Sequence, residues 1–242
     1  KPYLIGKLND RTYQIKIEDI YYLEANEDHI FIYCKNKVYE TNSRLYELEN
    51  KLDNRYFIRI SKSIILNLRK LASVKAYLNG RYEATLINNE RVIITRHYVN
   101  DFKKKFGIKK MIRLYLTTTC ISYTFVMIGQ AILCNLSDTT MSNNLILIIF
   151  AICALVNVLI HIIHYQDLKD WLTSVLSILS IFVIVSLANY LLGYNNAIFE
   201  FERLIFILIM SIAVYFFVIT VVFIKNQDDA KKINEKLKAT IK

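Results

Sequence analysis

The chain has 242 residues, with 31 lysines and arginines against 21 aspartates and glutamates. Residues 1–110 hold 22 of the basic and 13 of the acidic side chains, so the first part of the chain is strongly basic and favours a polyanionic partner such as nucleic acid or anionic lipid. The four cysteines form no CxxC pair, which argues against a disulfide framework or a cysteine metal site, and Walker, HExxH and GxSxG motifs are missing, which disfavours the corresponding enzymes.

Residues 1–107 have the short alternating apolar runs and turn residues of a mostly β domain. Asn9-Asp10 and Asn79-Gly80 are turn dipeptides, and Asn-Gly accepts the positive φ angles of a tight hairpin. The predicted strands are Tyr3–Leu8, Thr12–Ile17, Ile20–Leu23, His29–Cys34, Val38–Thr41, Phe57–Ile60, Ser63–Leu66, Ser73–Leu78, Tyr82–Ile87 and Arg91–Thr95.

Two segments of this part change to a helical period. Leucines recur at three- and four-residue spacing within Ser43–Leu52, which predicts an amphipathic helix with Ser43 as its N-cap. Val99, Phe102 and Phe106 predict a closing helix, with Gly107 at its C-terminal end. The expected fold is therefore small antiparallel sheets with about two short helices.

The motifs of this part resemble the LytTR DNA-binding domain of bacterial response regulators. The stretch DIYYLEANEDHIFIY is followed by FIRISKSIILNLRKL, which contains the pattern F-x-R-x-x-K-S-x-x-x-N, and then by TRHYV. The resemblance covers nearly all of residues 3–107. It implies small antiparallel sheets with little helix, which bind direct-repeat promoter DNA through loops that enter successive major grooves.

The resemblance also implies roles for individual residues. It predicts that His29, Lys62 and Arg96 reach base edges, where lysine and arginine can donate to guanine and histidine to an acceptor. Taken alone, His29 would be a surface histidine at a strand edge and Arg96 a charge at a helix entry. The residues predicted to contact phosphate or to act as scaffold are Arg59, Ser61, Asn67 and His97.

Four apolar runs of about 20 residues follow, each long enough to cross a bilayer as a helix. They are Leu114–Leu133, Leu145–Ile163, Leu172–Leu192 and Leu204–Ile224. This all-α, four-helix transmembrane bundle resembles a family of small four-helix membrane proteins of unknown function. These proteins are usually encoded beside LytTR regulators and are thought to inhibit them.

The lysines and arginines predict the orientation of these spans. Six of them lie directly before the first span, between Lys103 and Arg113, and six follow the last, whereas the loop Asn135–Asn144 has none and the next loop has Lys169. The positive-inside rule then predicts a multi-pass protein of the cell membrane with both termini in the cytoplasm.

Polar residues within the spans have two interpretations. Gln130, Asn157 and His161 can make interhelical hydrogen bonds, which is the favoured interpretation, or form a signal or proton site. Beyond the last span, Ile233, Leu237 and Ile241 recur every four residues among lysines. This basic amphipathic tail could lie on the inner leaflet, dock on the soluble domain or remain solvated.

The predicted protein is a membrane-anchored bacterial transcription regulator without enzymatic activity, cofactor or metal. Its partners are double-stranded promoter DNA and the lipid bilayer, with a homodimer on direct repeats. The alternative is a membrane receptor or transport accessory whose soluble domain binds protein or lipid. The predicted segments are a DNA-binding domain 1–107, a basic linker 108–113, a four-span domain 114–225 and a cytoplasmic tail 226–242.

The linker also predicts how the membrane half acts. About six residues, Gly107 to Ile112, separate the last helix of the basic domain from the first span, so this connection reaches at most about 20 Å. A DNA duplex held so close to an anionic leaflet is repelled. The membrane half is therefore expected to restrain the DNA-binding half.

Overall fold

The structure, a computed structural model, describes residues 3–77, 79–108, 112–136, 143–166, 168–191 and 201–241. The chain forms two compact units. The first consists of Lys1–Tyr77, Arg81–Lys110 and Asn226–Lys242, and the second of Leu78–Gly80 and Met111–Lys225. The C-terminal segment thus belongs to the same unit as the N-terminal strands.

The first unit contains two antiparallel sheets, and its sheet topology was not evident from the chain order. The larger has seven strands in the order β2-β1-β5-β4-β3-β7-β6, and the smaller has the order β10-β9-β8. The strands are β1 Tyr3–Leu8, β2 Arg11–Lys16, β3 Ile20–Asn26, β4 His29–Cys34, β5 Val38–Thr41, β6 Phe57–Arg59, β7 Ile64–Asn67, β8 Leu71–Ala76, β9 Tyr82–Leu86 and β10 Arg91–Ile94.

The predicted strands are confirmed, with ends that shift by a few residues, and so is the Asn9-Asp10 turn, whereas the predicted two-residue turn at Asn79-Gly80 is wrong. Asn9 and Asp10 have φ angles of 47° and 62°, the left-handed pair that a two-residue hairpin needs, and Leu8 pairs with Arg11 around them. In the second hairpin Gly80 has φ 77°, while Ala76 pairs with Tyr82. The connection between β8 and β9 is therefore longer than two residues.

Two helices complete the N-terminal part, as predicted: α1 Leu45–Lys51 and α2 Arg96–Lys105. The predicted N-cap Ser43 is wrong, because α1 begins one residue later with Arg44 at the cap. The Arg44 amide donates to the Glu47 carboxylate (3.2 Å), so a residue inside the first turn satisfies the free amide instead of a serine hydroxyl. Gly107, with φ 68°, follows α2 as expected.

The first unit contains two hydrophobic cores. One core contains β3, β4 and the buried face of α1, with Leu23, Ile32 and Leu48 almost fully buried. The other is formed by the three-stranded sheet, α2, the C-terminal segment and part of the larger sheet, and it includes Phe102 and Ile233, both 0% exposed. A residue from the far end of the chain is thus as deeply buried as any residue of the N-terminal domain.

Four long helices follow: α3 Ile112–Leu136, α4 Asn143–Tyr165, α5 Asp170–Leu191 and α6 Phe201–Ile241. Among the described residues, three segments are long and apolar enough to cross a membrane. These are Ile146–Tyr165, Asp170–Leu187 and Leu204–Ala239, whereas α3 has a shorter apolar stretch, Leu116–Ile128. The predicted external loops fall largely on residues 137–142 and 192–200, outside the described residues.

We expect Gly6→Ala to destabilise the larger sheet. A Cβ at Gly6 would lie 2.7 Å from Ile15 Cδ1 and 2.8 Å from Tyr39 Cβ, so the strands would have to separate. Such overpacking costs about 1–3 kcal/mol of unfolding free energy. Thermal unfolding of the full chain in detergent, followed by near-ultraviolet circular dichroism, would measure it. Gln14→Ala, at an exposed position of β2, is the control, and equal midpoints for both variants would contradict the prediction.

Candidate nucleic-acid interface

The loop between β6 and β7 presents Lys62 at its tip. The Ile60 amide donates to the Ile64 carbonyl (2.9 Å) and closes the loop at its base. Within the loop the Ser63 amide donates to Ser61 Oγ (3.1 Å), a local side-chain turn that satisfies a backbone donor. Ser61 is buried and Lys62 is exposed, so the loop has a fixed base and a cationic tip.

Arg59 supports this loop from the sheet side. Its Nε donates to the Ser61 carbonyl (3.1 Å) and its Nη2 to the Lys62 carbonyl (2.5 Å), while its Nη1 donates to Glu49 on α1 (3.1 Å). A guanidinium can make all three contacts at once because its donors form a rigid planar fork. In this structure Arg59 is a scaffold residue, which is one of the two roles predicted for it.

Asn67 is also built into the scaffold. It is 1% exposed, its amide donates to the Ile20 carbonyl (2.7 Å), and its Oδ1 accepts from the Arg69 amide (3.0 Å). These bonds join the end of β7 to the start of β3, across 47 positions of sequence. Buried this way, Asn67 cannot reach phosphate without leaving its partners.

Backbone hydrogen bonds bring the three predicted base-reading elements to one edge of the domain. The Ala25 amide of β3 donates to the Ser63 carbonyl (2.8 Å), which joins the β3–β4 hairpin to the Lys62 loop. The Thr95 amide, just before α2, donates to the Ile60 carbonyl (2.9 Å) on the other side of that loop. We call this continuous rim the reading edge: the β3–β4 hairpin end, residues 60–63 and the start of α2.

His29 stands at the hairpin end of the reading edge. It is the first residue of β4, pairs with Asn26 and has a side chain that is 58% exposed. Its Nδ1 lies 2.5 Å from a carboxylate oxygen of Glu40 on the neighbouring strand β5. This contact sets the ring orientation and leaves Nε2 as the nitrogen available to a ligand.

The start of α2 holds the remaining two predicted residues. Arg96 is the first residue of the helix and only 7% exposed, so its guanidinium would have to turn outward to meet a base. His97 is exposed, with its ring edge against Tyr98 at a centroid distance of 4.9 Å. The structure thus places His97, rather than Arg96, on the surface of the reading edge.

Sequence reasoning missed the acidic partners of this edge. Glu40 and Glu49 orient His29 and Arg59 from residues 11 and 10 positions away. Strand pairing and the packing of α1 create both contacts. A local motif contains no signal for either carboxylate, since no fixed spacing connects it to its partner.

Titratable groups in β3 and β4 behind the edge are neutral. Tyr22 stacks on Tyr33 with ring centroids 4.2 Å apart, and burial, followed by the nearby Glu90, raises the pKa of Tyr22. Burial also raises the pKa of the Cys34 thiol to about 11. Both groups are neutral at pH 7 even at their ordinary pKa values, so these shifts do not change the charge near the reading edge.

The predicted polar residues of the spans belong to the second unit. Asn157 is 5% exposed, and its amide donates to Ser122 Oγ on α3 (3.2 Å) and to the Cys153 carbonyl (2.8 Å). His161 lies one turn further along α4 and is half-buried. The side chain of Gln130 lies outside the described residues. Asn157 thus makes the interhelical bond of the favoured interpretation.

We expect Arg59→Ala to loosen the Lys62 loop, because two loop carbonyls lose their donor. Hydrogen–deuterium exchange of peptides covering residues 59–66 should rise. Arg59→Lys should protect only in part, since an ammonium cannot reproduce the fork. Arg91→Ala is the control, because its 3.7 Å ion pair with Glu83 is 69% exposed on the arginine side. Unchanged exchange in Arg59→Ala would contradict the scaffold role.

Known proteins match the N-terminal part of the chain. A family model described as LytTr DNA-binding domain matches residues 10–107. The sensory transduction protein LytT of Enterococcus faecalis is 33% identical over 99 residues, covering 41% of each chain. The sensory transduction protein LytR of Staphylococcus haemolyticus is 29% identical over 102 residues, 42% of this chain and 40% of that one.

The chain therefore spans about two fifths of the length of these relatives. A solved LytTr DNA-binding domain from Bacillus cereus aligns with a TM-score of 0.43 and 23% identity, over 45% of this chain and 99% of that one. The matched range contains every motif residue from His29 to His97. The family match identifies residues 10–107 of this chain as a LytTR DNA-binding domain.

Proposed function

We propose that the protein is a membrane-anchored transcription regulator that binds direct-repeat promoter DNA through its reading edge and is restrained by its membrane half. The observation that carries the proposal is the hydrogen-bonded continuity of the reading edge within a LytTR domain. The relatives that match this domain are named as transcriptional regulatory and sensory transduction proteins.

The chemistry of the edge suits a major groove. Lys62 at the loop tip offers three donors to guanine O6 and N7, and Nε2 of His29 faces outward as a second reader. His97 is placed for a phosphate or base contact at the start of α2. Arg59 and Asn67 bind backbone groups of the loop and of the neighbouring strands. The loop therefore enters the groove with little loss of conformational entropy.

The C-terminal segment supports a four-span topology. It packs within the same compact unit as the N-terminal strands, and we infer from this that both lie on one side of a bilayer. An even number of crossings is then required, and three apolar helices qualify by composition alone. The fourth crossing falls to α3, whose 25 residues extend about 37 Å, enough for the hydrocarbon core.

We expect the full chain in nanodiscs to bind a direct-repeat duplex with an affinity that falls steeply as salt rises, because phosphate contacts release counterions. Lys62→Ala should cost about 1–3 kcal/mol on the specific site and relax preference at one base pair. Lys16→Ala, exposed on the distant edge strand β2, is the matched control. Fluorescence anisotropy would measure both.

Equal losses for Lys62→Ala on specific and random DNA would reduce Lys62 to a phosphate contact. Absence of binding to any duplex, with binding to anionic vesicles instead, would favour the receptor or transport-accessory alternative. In that case lysine and arginine should be interchangeable at Lys62, because a lipid surface responds to charge rather than to donor geometry.

We expect cysteine labelling to place Asp138 outside and Lys169 inside. Single cysteines at these positions, in a chain whose native cysteines are replaced by serine, would be treated with a membrane-impermeant maleimide in intact cells. Asp138→Cys should react directly, and Lys169→Cys only after permeabilisation. Labelling of Lys169→Cys from outside would mean that α3 does not cross the membrane.

A further inference from the structure

The C-terminal segment of α6 is packed into the DNA-binding domain as one of its elements. We call residues 226–241 the docking segment. Its apolar residues Ala230, Ile233 and Leu237 are 3%, 0% and 8% exposed and share one core with the three-stranded sheet and α2. Their spacing of three and four residues places them on one face of the helix.

A side-chain amide also ties the docking segment to the exposed edge of the smaller sheet. The Val74 amide donates to Asn234 Oδ1 (2.8 Å), and Asn234 Nδ2 donates to the Val74 carbonyl (2.9 Å). β8 is an edge strand of this sheet, so its outer backbone groups lack a strand partner. Asn234 supplies both hydrogen bonds, as a neighbouring strand would.

The strongest polar contact is with α2. Lys103 Nζ lies 2.7 Å from Asp229 Oδ2 and 2.9 Å from Asn226 Oδ1, and the side chains of Lys103 and Asp229 are 12% and 6% exposed. The Tyr82 hydroxyl donates to the Asn226 carbonyl (2.9 Å), and burial raises the pKa of Tyr82, so it remains a donor. At such burial, loss of either charge leaves the other charge buried without this counter-ion, which is destabilising.

Helix α2 is therefore held at both ends. At its start, the Thr95 amide donates to the Ile60 carbonyl of the reading edge. At its end, Lys103 donates to Asp229 of the docking segment, and the Phe106 carbonyl accepts from Lys236 Nζ (2.6 Å) of the same segment. Between these anchors Arg96 stays 7% exposed. The docking segment and the last apolar run are parts of one continuous 41-residue helix, so a displacement of that run along its axis acts directly on the docking segment.

We propose that the docking segment is the element through which the membrane half restrains DNA binding. When the segment is docked, it fixes α2 with Arg96 buried. When the segment is released, the start of α2 can move and Arg96 can turn toward DNA. The α2 and β8–β9 face of the domain is thus a docking site whose occupant is the chain's own C-terminal helix. This inference rests on the proposed DNA binding.

Two adjacent aspartates provide a matched test in the full chain. Asp229→Asn removes the buried carboxylate that pairs with Lys103, whereas Asp228→Asn removes the carboxylate of an ion pair with Lys232, in which the Asp228 side chain is 55% exposed. In nanodiscs, Asp229→Asn should raise deuterium exchange in peptides of β8 and α2 and raise affinity for the direct-repeat duplex about fivefold or more. Asp228→Asn should match the wild type in both measurements.

A charge reversal separates release from misfolding. Lys103→Asp alone should behave like Asp229→Asn, and the double variant Lys103→Asp with Asp229→Lys should restore slow exchange and wild-type affinity. Unchanged exchange in Asp229→Asn overturns the docking role, and raised exchange with unchanged or weaker DNA binding overturns the restraint. If neither wild type nor Asp229→Asn binds any duplex, the proposed function itself fails.

Discussion

The three-stranded sheet cannot bury its apolar face alone, and the rest of the architecture depends on how this face is covered. Three short strands leave one face and the edge of β8 open, and neither is stable in water without a partner. Helix α2, the docking segment and residues of the larger sheet such as Tyr22 and Leu66 cover this face together. The chain thus completes this domain with residues more than a hundred positions further along, in the last part of α6 and after helices α3, α4 and α5.

In the completed domain, different residues stabilise the Lys62 loop and contact a ligand. Arg59, Ser61 and Asn67 direct their polar atoms at backbone groups, and this fixes the Lys62 loop without using the Lys62 side chain. The exposed ammonium group of Lys62 is therefore not needed to stabilise the loop. A loop with a buried base and an exposed Lys62 suits binding to DNA, because the conformational entropy of the loop is lost during folding rather than on binding.

The second unit uses polarity in a different way. Its helices bury hydroxyl and amide groups that bond either to a neighbouring helix, as Asn157 does with Ser122, or back to their own turn, as Ser177 does with the Thr173 carbonyl at 2.7 Å. Tyr215 on α6 donates to Ser174 Oγ on α5 (3.1 Å). In a bilayer such bonds hold helices together where apolar contacts with lipid offer no net gain.

Much of this protein could be predicted from local sequence. Alternation of apolar residues located the strands, Asn9-Asp10 set a two-residue turn through its positive φ angles, and run length separated the apolar helices from the basic domain. The LytTR motif placed the candidate readers. These features depend on residues a few positions apart, where backbone preference and hydrophobic period act directly.

Tertiary structure alone decided the rest. The insertion of β5 between β1 and β4, the acidic partners Glu40 and Glu49, and the burial of Arg96 all arise from pairs that no local spacing links. The tail had three open interpretations because an amphipathic basic helix fits lipid, protein or water equally well. Its place on the sheet is selected by shape and by the buried Lys103–Asp229 pair, and such complementarity exists only once both surfaces have formed.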